Sequence, residues 1–422
     1  MATEKARRDR WGIWRQIAFG FIVGASKFEV GMVIGWSAIL PKMQVDNSTG
    51  FVVGESDVTW LVASPSIAGL VVTLFTGPLM EATGPSRLLF LMYLPMALLW
   101  LLQAFTPYLS VLYLARYLAS GIYMVLGPLP ATLISELSEP RLRGFLLGFE
   151  EVLVALGQMA AYVMADLLPW ALATALCAAP FFVLYGCAYF LPELRQFAHA
   201  HHYRPVVLLA AVFTLRELGG QYVLFAYTVY LFRQAGVHLD AFLCTILVGV
   251  MRVVFTSLGC GVVDRVGRRP LIVTTSLVCG IAEAVGALFL LVDVPGASWV
   301  PLAAVLLFVA SYGFGLGPIP WALLGELLPT PIRFIGSSIC IFSFSLTQFV
   351  VSYLFPLLMD RAGVGVALLV FAVAHGVLGL VLWAFLPETR GRTLSDLQDC
   401  FSPVRRATEP VQLQNYKKAI NS

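Results

Sequence analysis

Pro128-Leu129-Pro130, then Glu136, then Arg143 form one stretch of this chain, and Pro318-Ile319-Pro320, then Glu326, then Arg333 form another. Both follow the pattern P-x-P-x5-E-x6-R, and all four pairs of positions stand 190 residues apart. Each run closes a long apolar stretch. A second echo, offset by 183 residues, links Gly77-Pro78-Leu79-Met80-Glu81-Ala82-Thr83-Gly84 to Gly261-Val262-Val263-Asp264-Arg265-Val266-Gly267. A chain that repeats itself at nearly half its length reads as two equivalent units.

Composition says where those units reside. Of 422 residues, 59% are hydrophobic and only 12% charged, with mean hydropathy +0.84. A soluble domain carries about 25% charged residues, so a soluble protein is excluded. At about 20 apolar residues per bilayer crossing, the chain has room for twelve helices, near 17–40, 58–80, 88–106, 110–133, 145–167, 170–190, 206–232, 241–263, 271–291, 300–323, 337–358 and 364–385. Inside lipid each must be helical, because every backbone N–H and C=O needs an internal partner. The basic N-terminus precedes an apolar stretch too long for a signal peptide and without an obvious cleavage site; it reads as the first span. A net charge of +3 offers nothing to a nucleic acid. Six of the seven cysteines lie in apolar runs and Cys400 in a polar tail, a placement that suits packing rather than disulfides or a metal site.

Lysine and arginine set the orientation. The N-terminus, the loops after even-numbered spans and the C-terminus carry twenty of them, against Lys42, Arg233 and Arg361 on the other side. The positive-inside rule therefore puts both termini in the cytosol. Asn47-Ser48-Thr49, a glycosylation acceptor in the first outward loop, agrees with that orientation.

Two six-span units in parallel repeat are related by an axis along the membrane normal, and a solute site forms between them near mid-bilayer. The expected organisation is an N-terminal half at 1–190, a short cytosolic linker at 191–205, a C-terminal half at 206–386 and a cytosolic tail at 387–422. The repeated Glu136, Arg143, Glu326 and Arg333 fall at cytosolic helix ends, where ion pairs between neighbouring helices would close the inner mouth.

These motifs resemble a known family. Asp264-Arg265-Val266-Gly267-Arg268-Arg269 resembles the loop motif of the major facilitator superfamily, and Pro387-Glu388-Thr389-Arg390-Gly391-Arg392 is similar to the PETKGR motif of its sugar porters. Gly315-Leu316-Gly317-Pro318-Ile319-Pro320-Trp321 with Glu326 is similar to the family's GLGPxPW…E stretch, and Pro140-Arg141-Leu142-Arg143-Gly144 to its PxxRG loop. Gly35-Trp36-Ser37 followed by Leu40-Pro41-Lys42 most resembles the insect facilitated trehalose transporters. The resemblance implies an all-α membrane protein of twelve transmembrane helices in two six-helix halves. It implies a facilitative carrier of hexose or disaccharide in the plasma membrane, working without ATP or cofactor, with Asp264, Arg265, Arg268 and Arg269 joining the gating ion pairs. The absence of a GxxxxGKS phosphate loop fits a secondary carrier. No Ser/His/Asp, zinc or paired-carboxylate constellation suggests an enzyme.

The solute site departs from the family pattern. Where sugar porters open span seven with QQLSGIN, whose amides offer neutral donors and acceptors to sugar hydroxyls, this chain has Arg216-Glu217-Leu218-Gly219-Gly220-Gln221-Tyr222. The family's span-five Gln aligns with Glu151 and its span-eight Asn with Arg252. In span eleven the expected Asn-Trp is Phe344-Ser345, and a later Asn is Gln348. Trp321 alone clearly survives. Substrate contact is assigned to Trp321, Gln221, Glu151, Arg216, Glu217, Tyr222, Arg252 and Gln348.

Charges at mid-membrane cost about 2.5–3.5 kcal/mol each on insertion scales, so Lys27, Glu29, Glu151, Arg216, Glu217, Arg252 and Glu283 need partners or a wet cavity. Three readings stand open. An altered cavity binds a sugar or a charged solute, with Arg216 and Arg252 facing an anion; an ion-pair network fills the site of a transport-inactive sensor or scaffold; or Glu29 couples transport to protons, although the family's proton-coupled members carry their acid at the position of Gly31. His199, His201 and His202 in the linker read as solvated rather than metal-binding. The shortened linker and the loss of basic residues after span two predict a weaker cytosolic latch.

Overall fold

The computed structural model describes residues 19–45, 51–137, 140–188, 204–234, 240–292, 299–328 and 333–390. Asn47, the three linker histidines and Cys400 lie outside them. Among the described residues, ten helices are long and apolar enough to cross a membrane. In the first half these are α1 (Phe19–Val45), α2 (Glu55–Thr83), α3 (Pro85–Phe105), α4 (Leu109–Ile134), α5 (Gly144–Leu167) and α6 (Trp170–Ala188).

In the second half α8 (Ala241–Val266), α9 (Arg268–Val292) and α10 (Val300–Leu327) are single crossings. Arg333–Phe385 is 53 residues of helix, which at about 1.5 Å per residue is more than twice the thickness of a bilayer core. Its backbone leaves helical geometry at Gly363 (φ 83°, ψ 162°), so it is two crossings, α11 (333–362) and α12 (364–385). The seventh crossing, α7, is broken rather than continuous as its hydropathy predicts. It runs as Arg204–Leu218, Gln221–Ala226 and Thr228–Gln234. Gly220 adopts the left-handed conformation at the first break (φ 70°, ψ 10°), which only glycine enters freely. Twelve crossings result.

The repeat is visible in the packing. In the first half α1 lies on α5, α2 on α4 and α3 on α6; in the second α7 lies on α11, α8 on α10 and α9 on α12. The halves meet along α2 against α11 and α5 against α8, two equivalent seams. Helices approach closely where glycine permits: a methyl on Gly31 would overlap the Val154 carbonyl, and one on Gly157 the Phe28 carbonyl. Small residues at such crossings replace the hydrophobic drive that lipid does not supply. The same contact leaves no space for an acidic side chain at Gly31.

The repeated prolines break helices at matched places. In the first half the helix stops at Leu126 and resumes at Leu129. In the second, Tyr312–Leu316 forms a π segment closed by Gly317 N–H donating to the Tyr312 carbonyl at 2.7 Å, just before Pro318. Such bulges shift the register of the residues they contain, and both lie beside the central chamber.

Replacing Gly157 with Val is expected to lower the melting temperature of the detergent-solubilised protein by about 5–10 °C, as overpacking does. Gly186→Ala, whose added carbon would meet nothing within 4 Å among the described residues, leaves it unchanged. A thermal-shift series compares the two.

Candidate functional site

Between the halves lies a cavity of about 60 Å3, room for about five waters at about 10–15 Å3 each. Lys27 of α1, Tyr123 and Met124 of α4 and Glu151 of α5 face it from one side. Arg216, Glu217, Gln221, Tyr222 and Phe225 of α7, Arg252 of α8, Tyr312 and Trp321 of α10 and Phe344 of α11 face it from the other. Seven of the eight assigned contact residues therefore line one chamber. The exception is Gln348, buried one helical turn beyond Phe344 and away from the lining.

The charges meet in pairs. Arg216 Nη1 stands 3.2 Å from Glu217 Oε1, Arg252 Nη2 3.8 Å from Glu151 Oε2, and Lys27 Nζ 3.5 Å from Glu150 Oε2. All six side chains are buried. Three cations face three carboxylates, so the chamber is electrically balanced, and the reading in which Arg216 and Arg252 await an anion loses its driving force. Partners beyond the pairs hold each group in place. Lys27 Nζ donates to the Gly127 carbonyl at 2.7 Å, at the break before Pro128. Arg216 donates to the Tyr312 hydroxyl, Gln221 to Glu217 and Arg252 to Gln158.

Aromatic rings complete the wall. The Arg216 and Arg252 guanidiniums lie 5.4 and 5.5 Å from the centre of the Tyr312 ring, and Lys27 Nζ lies 4.8 Å from that of Trp321. Cation–π attraction strengthens where water is excluded. The π segment places Tyr312 between the two arginines. Sequence reasoning passed over it, although it stands three residues before the recognised Gly315-Leu316-Gly317-Pro318 run; it also passed over Glu150 and Gln158.

Several chamber atoms have no hydrogen-bond partner among the described residues: Arg216 Nε, Glu217 Oε2 and Gln221 Oε1. One donor and two acceptors, all buried, thus lack partners on the two sides of the first break in α7. Glu29 and Glu283, grouped with these charges by sequence, lie apart. Glu283 pairs with His375 at 2.8 Å between α9 and α12, and neither oxygen of buried Glu29 has a hydrogen-bond partner among the described residues.

Both mouths are closed. At one end, the Tyr222 hydroxyl donates to the Val62 carbonyl at 2.9 Å and the Tyr230 hydroxyl to Gln44 at 2.7 Å, tying α7 to α2 and α1. The Tyr222 hydroxyl is therefore engaged in a bond between the halves. At the other end, Arg268 bridges Asp264 at 2.9 Å and Glu326 at 3.2 Å, and the Thr389 hydroxyl donates to Glu326 at 2.7 Å. Glu388 accepts from the backbone N–H groups of Arg268 and Arg269 at the start of α9, where a carboxylate suits the helix dipole. Gly144 of α5 packs so closely on the Asp264–Arg268 pair that a methyl there would stand 2.8 Å from each.

Among the sequence-assigned gating residues, Arg265 contributes its backbone carbonyl, to Arg390. The Arg269 side chain turns to the Trp383 carbonyl, and Arg333 donates to Leu328 at 3.3 Å. The side chains of Glu136 and Arg143 lie outside the described part.

Two six-helix halves enclosing a charge-balanced chamber, closed at both ends, define a multi-pass carrier of the major facilitator fold. The chain belongs to the sugar (and other) transporter family, whose model matches residues 17–201 and 194–401. The facilitated trehalose transporter Tret1 of Culex quinquefasciatus is 26% identical, over 90% of this chain and 85% of that one. Its counterpart from Anopheles gambiae is also 26% identical, over 92% of this chain; the chain spans only 56% of that longer relative. The solved structure of the proton:xylose symporter XylE bound to 6-bromo-6-deoxy-D-glucose is similar with TM-score 0.78 at 20% identity, covering 92% of this chain and 100% of that one.

Removing Arg216 alone, as in Arg216→Ala, strands Glu217 and is expected to cost about 3–5 kcal/mol of stability. Arg216→Gln combined with Glu217→Gln removes both charges and leaves stability unchanged or higher. Thermal unfolding of the purified variants separates the two outcomes.

Proposed function

We propose that this chain is a facilitative carrier that moves a neutral polyhydroxylated solute, trehalose or a hexose, across the plasma membrane by alternating access. The observation that carries the reading is a charge-balanced chamber that still holds unpartnered donors and acceptors. A sugar hydroxyl both donates and accepts, so it can bond Glu217 Oε2, Gln221 Oε1 and Arg216 Nε without disturbing the charge balance. Hydrogen bonds to charged groups are about twice as strong as neutral ones, which lets ion pairs take over the work of the family's amides. Trp321, half-buried on the chamber wall, offers a flat apolar face to the C–H side of a sugar ring. The trehalose transporters among its relatives support the same substrate class.

In this reading residues 1–190 and 206–386 rock about the chamber, with 191–205 as a cytosolic linker and 387–422 as a cytosolic tail. Both termini face the cytosol, by the distribution of lysine and arginine, and Asn47 on the outer side is a glycosylation site. Asp264, Arg268 and Glu326 act as the cytosolic latch, whose opening parts Gly144 from the Asp264–Arg268 pair.

Uptake of radiolabelled trehalose and glucose into oocytes expressing the chain tests the proposal. Saturable uptake, competed by unlabelled sugar and indifferent to carboxylate or phosphate anions, is the expected result. Surface-expressed protein that takes up no neutral sugar overturns it, and competition by anions restores the charged-solute reading. Arg268→Gln, which removes the charge shared by Asp264 and Glu326, is expected to slow sugar uptake about tenfold at equal surface expression, as the loss of charged hydrogen bonds does.

A further inference from the structure

Beside the chamber runs a chain of hydrogen bonds that none of the solute contacts requires. Arg252 of α8 donates to Gln158 Oε1 of α5, and Gln158 Nε2 donates to the Tyr162 hydroxyl one turn along. The Tyr162 hydroxyl donates in turn to the Phe225 carbonyl of α7 at 2.9 Å. Gln158 and Tyr162 are 0% and 1% exposed, so neither has water as a substitute.

Phe225 lies in the last turn of the middle segment of α7, one residue before its end at Ala226 and the second break, where Tyr227 leaves helical geometry (φ −101°, ψ 17°). The Thr228 hydroxyl donates to the same carbonyl at 2.9 Å. A carbonyl at a helix end needs such partners. The chain therefore begins at a cation on the solute chamber and ends on the segment of α7 that carries Tyr222 and leads to Tyr230, the two residues closing the outer mouth. It crosses the seam between the halves twice, from α8 to α5 and from α5 to α7.

Resting on the carrier reading above, we propose that Gln158 and Tyr162 are positioning residues that tie the outer closure of α7 to the state of Arg252. In this structure Arg252 holds the Gln158 carbonyl, the amide N–H faces Tyr162, and the Tyr162 hydroxyl pins Phe225. Arg252 has a second partner within reach in Glu151, 3.8 Å away. A solute hydroxyl that draws the guanidinium toward the chamber leaves the Gln158 carbonyl unpaired. A buried unpaired amide is costly, at about 1–3 kcal/mol, so the amide turns and Tyr162 loses its alignment on Phe225. Filled and empty carriers then differ in how firmly the outer segment is held.

The test reads outer opening without any transport. Ile34 lines the chamber, so Ile34→Cys reacts with a membrane-impermeant maleimide from outside only when the outer mouth opens. Labelling is measured on intact cells and corrected for the chain with Ile34 in place. Val52→Cys, at a residue 81% exposed, reports surface-folded protein.

Tyr162→Phe and Gln158→Leu are each expected to raise the Ile34→Cys labelling rate about fivefold, the effect of one buried hydrogen bond. The double variant should do no more than either single one, because both break the same chain. Unchanged labelling, or increases that multiply in the double variant, overturn the proposal. If Gln158→Leu fails to reach the surface, Gln158→Met takes its place. Because no substrate is added, failure of sugar uptake and failure of this relay are read separately.

Discussion

Everything in the chamber depends on the rule that a charge taken out of water must be met by its opposite. Lys27, Arg216 and Arg252 are each buried, and each has a carboxylate within 4 Å. Breaking one such pair costs about 3–5 kcal/mol, a large share of the stability of a folded chain. The pairs therefore constrain one another. Arg216 stays on Glu217 because Tyr312 and Trp321 wall it in, and Arg252 is shared between Glu151 and Gln158 because both lie on α5 within its reach. A solute entering this site negotiates with matched pairs rather than with a free charge, which is why electrical neutrality, and not the count of arginines, governs what it takes.

The second constraint is backbone proximity. Gly31 and Gly157 let α1 and α5 approach until carbonyls fill the space a side chain would occupy, and Gly259 does the same for α8 against the Phe314 carbonyl of α10. Those crossings fix the rotation of α1, α5, α8 and α10 about their own axes. That rotation in turn decides that Lys27, Glu151, Arg252 and Tyr312 point inward together.

Much of this was legible in the sequence. The P-x-P repeat falls at the places where α4 and α10 break, although Pro65, Pro78, Pro95 and Pro356 lie within helices that continue, and apolar length marked all twelve spans. The break in α7 was hidden because Gly219-Gly220 leaves hydropathy intact while allowing a left-handed turn. Alignment to the family's amides found the chamber residues of α5, α7 and α8, since register along a rigid helix survives substitution. It does not show two further features of the assigned residues. The Tyr222 hydroxyl reaches the Val62 carbonyl across the seam, and Gln348 falls a turn outside the cavity. Tyr312 and Glu150 were missed for different reasons. A π segment shifts register in a way no periodicity reveals, and Glu150 acts through Lys27, 123 positions away in the chain, a pairing only three-dimensional contact discloses.

The strap after α12 has a mechanical meaning of its own. Glu388 caps the start of α9, Thr389 holds Glu326, and Arg390 reaches the Arg265 carbonyl at 2.6 Å, so four consecutive residues from Pro387 are bolted to the second half at three points. They behave as a rigid handle rather than a loose tether. A fluorophore fixed to that handle would report rotation of the entire half-bundle, free of local wobble. The molecule thus carries a natural attachment point for spectroscopic rulers that follow its rocking in real time.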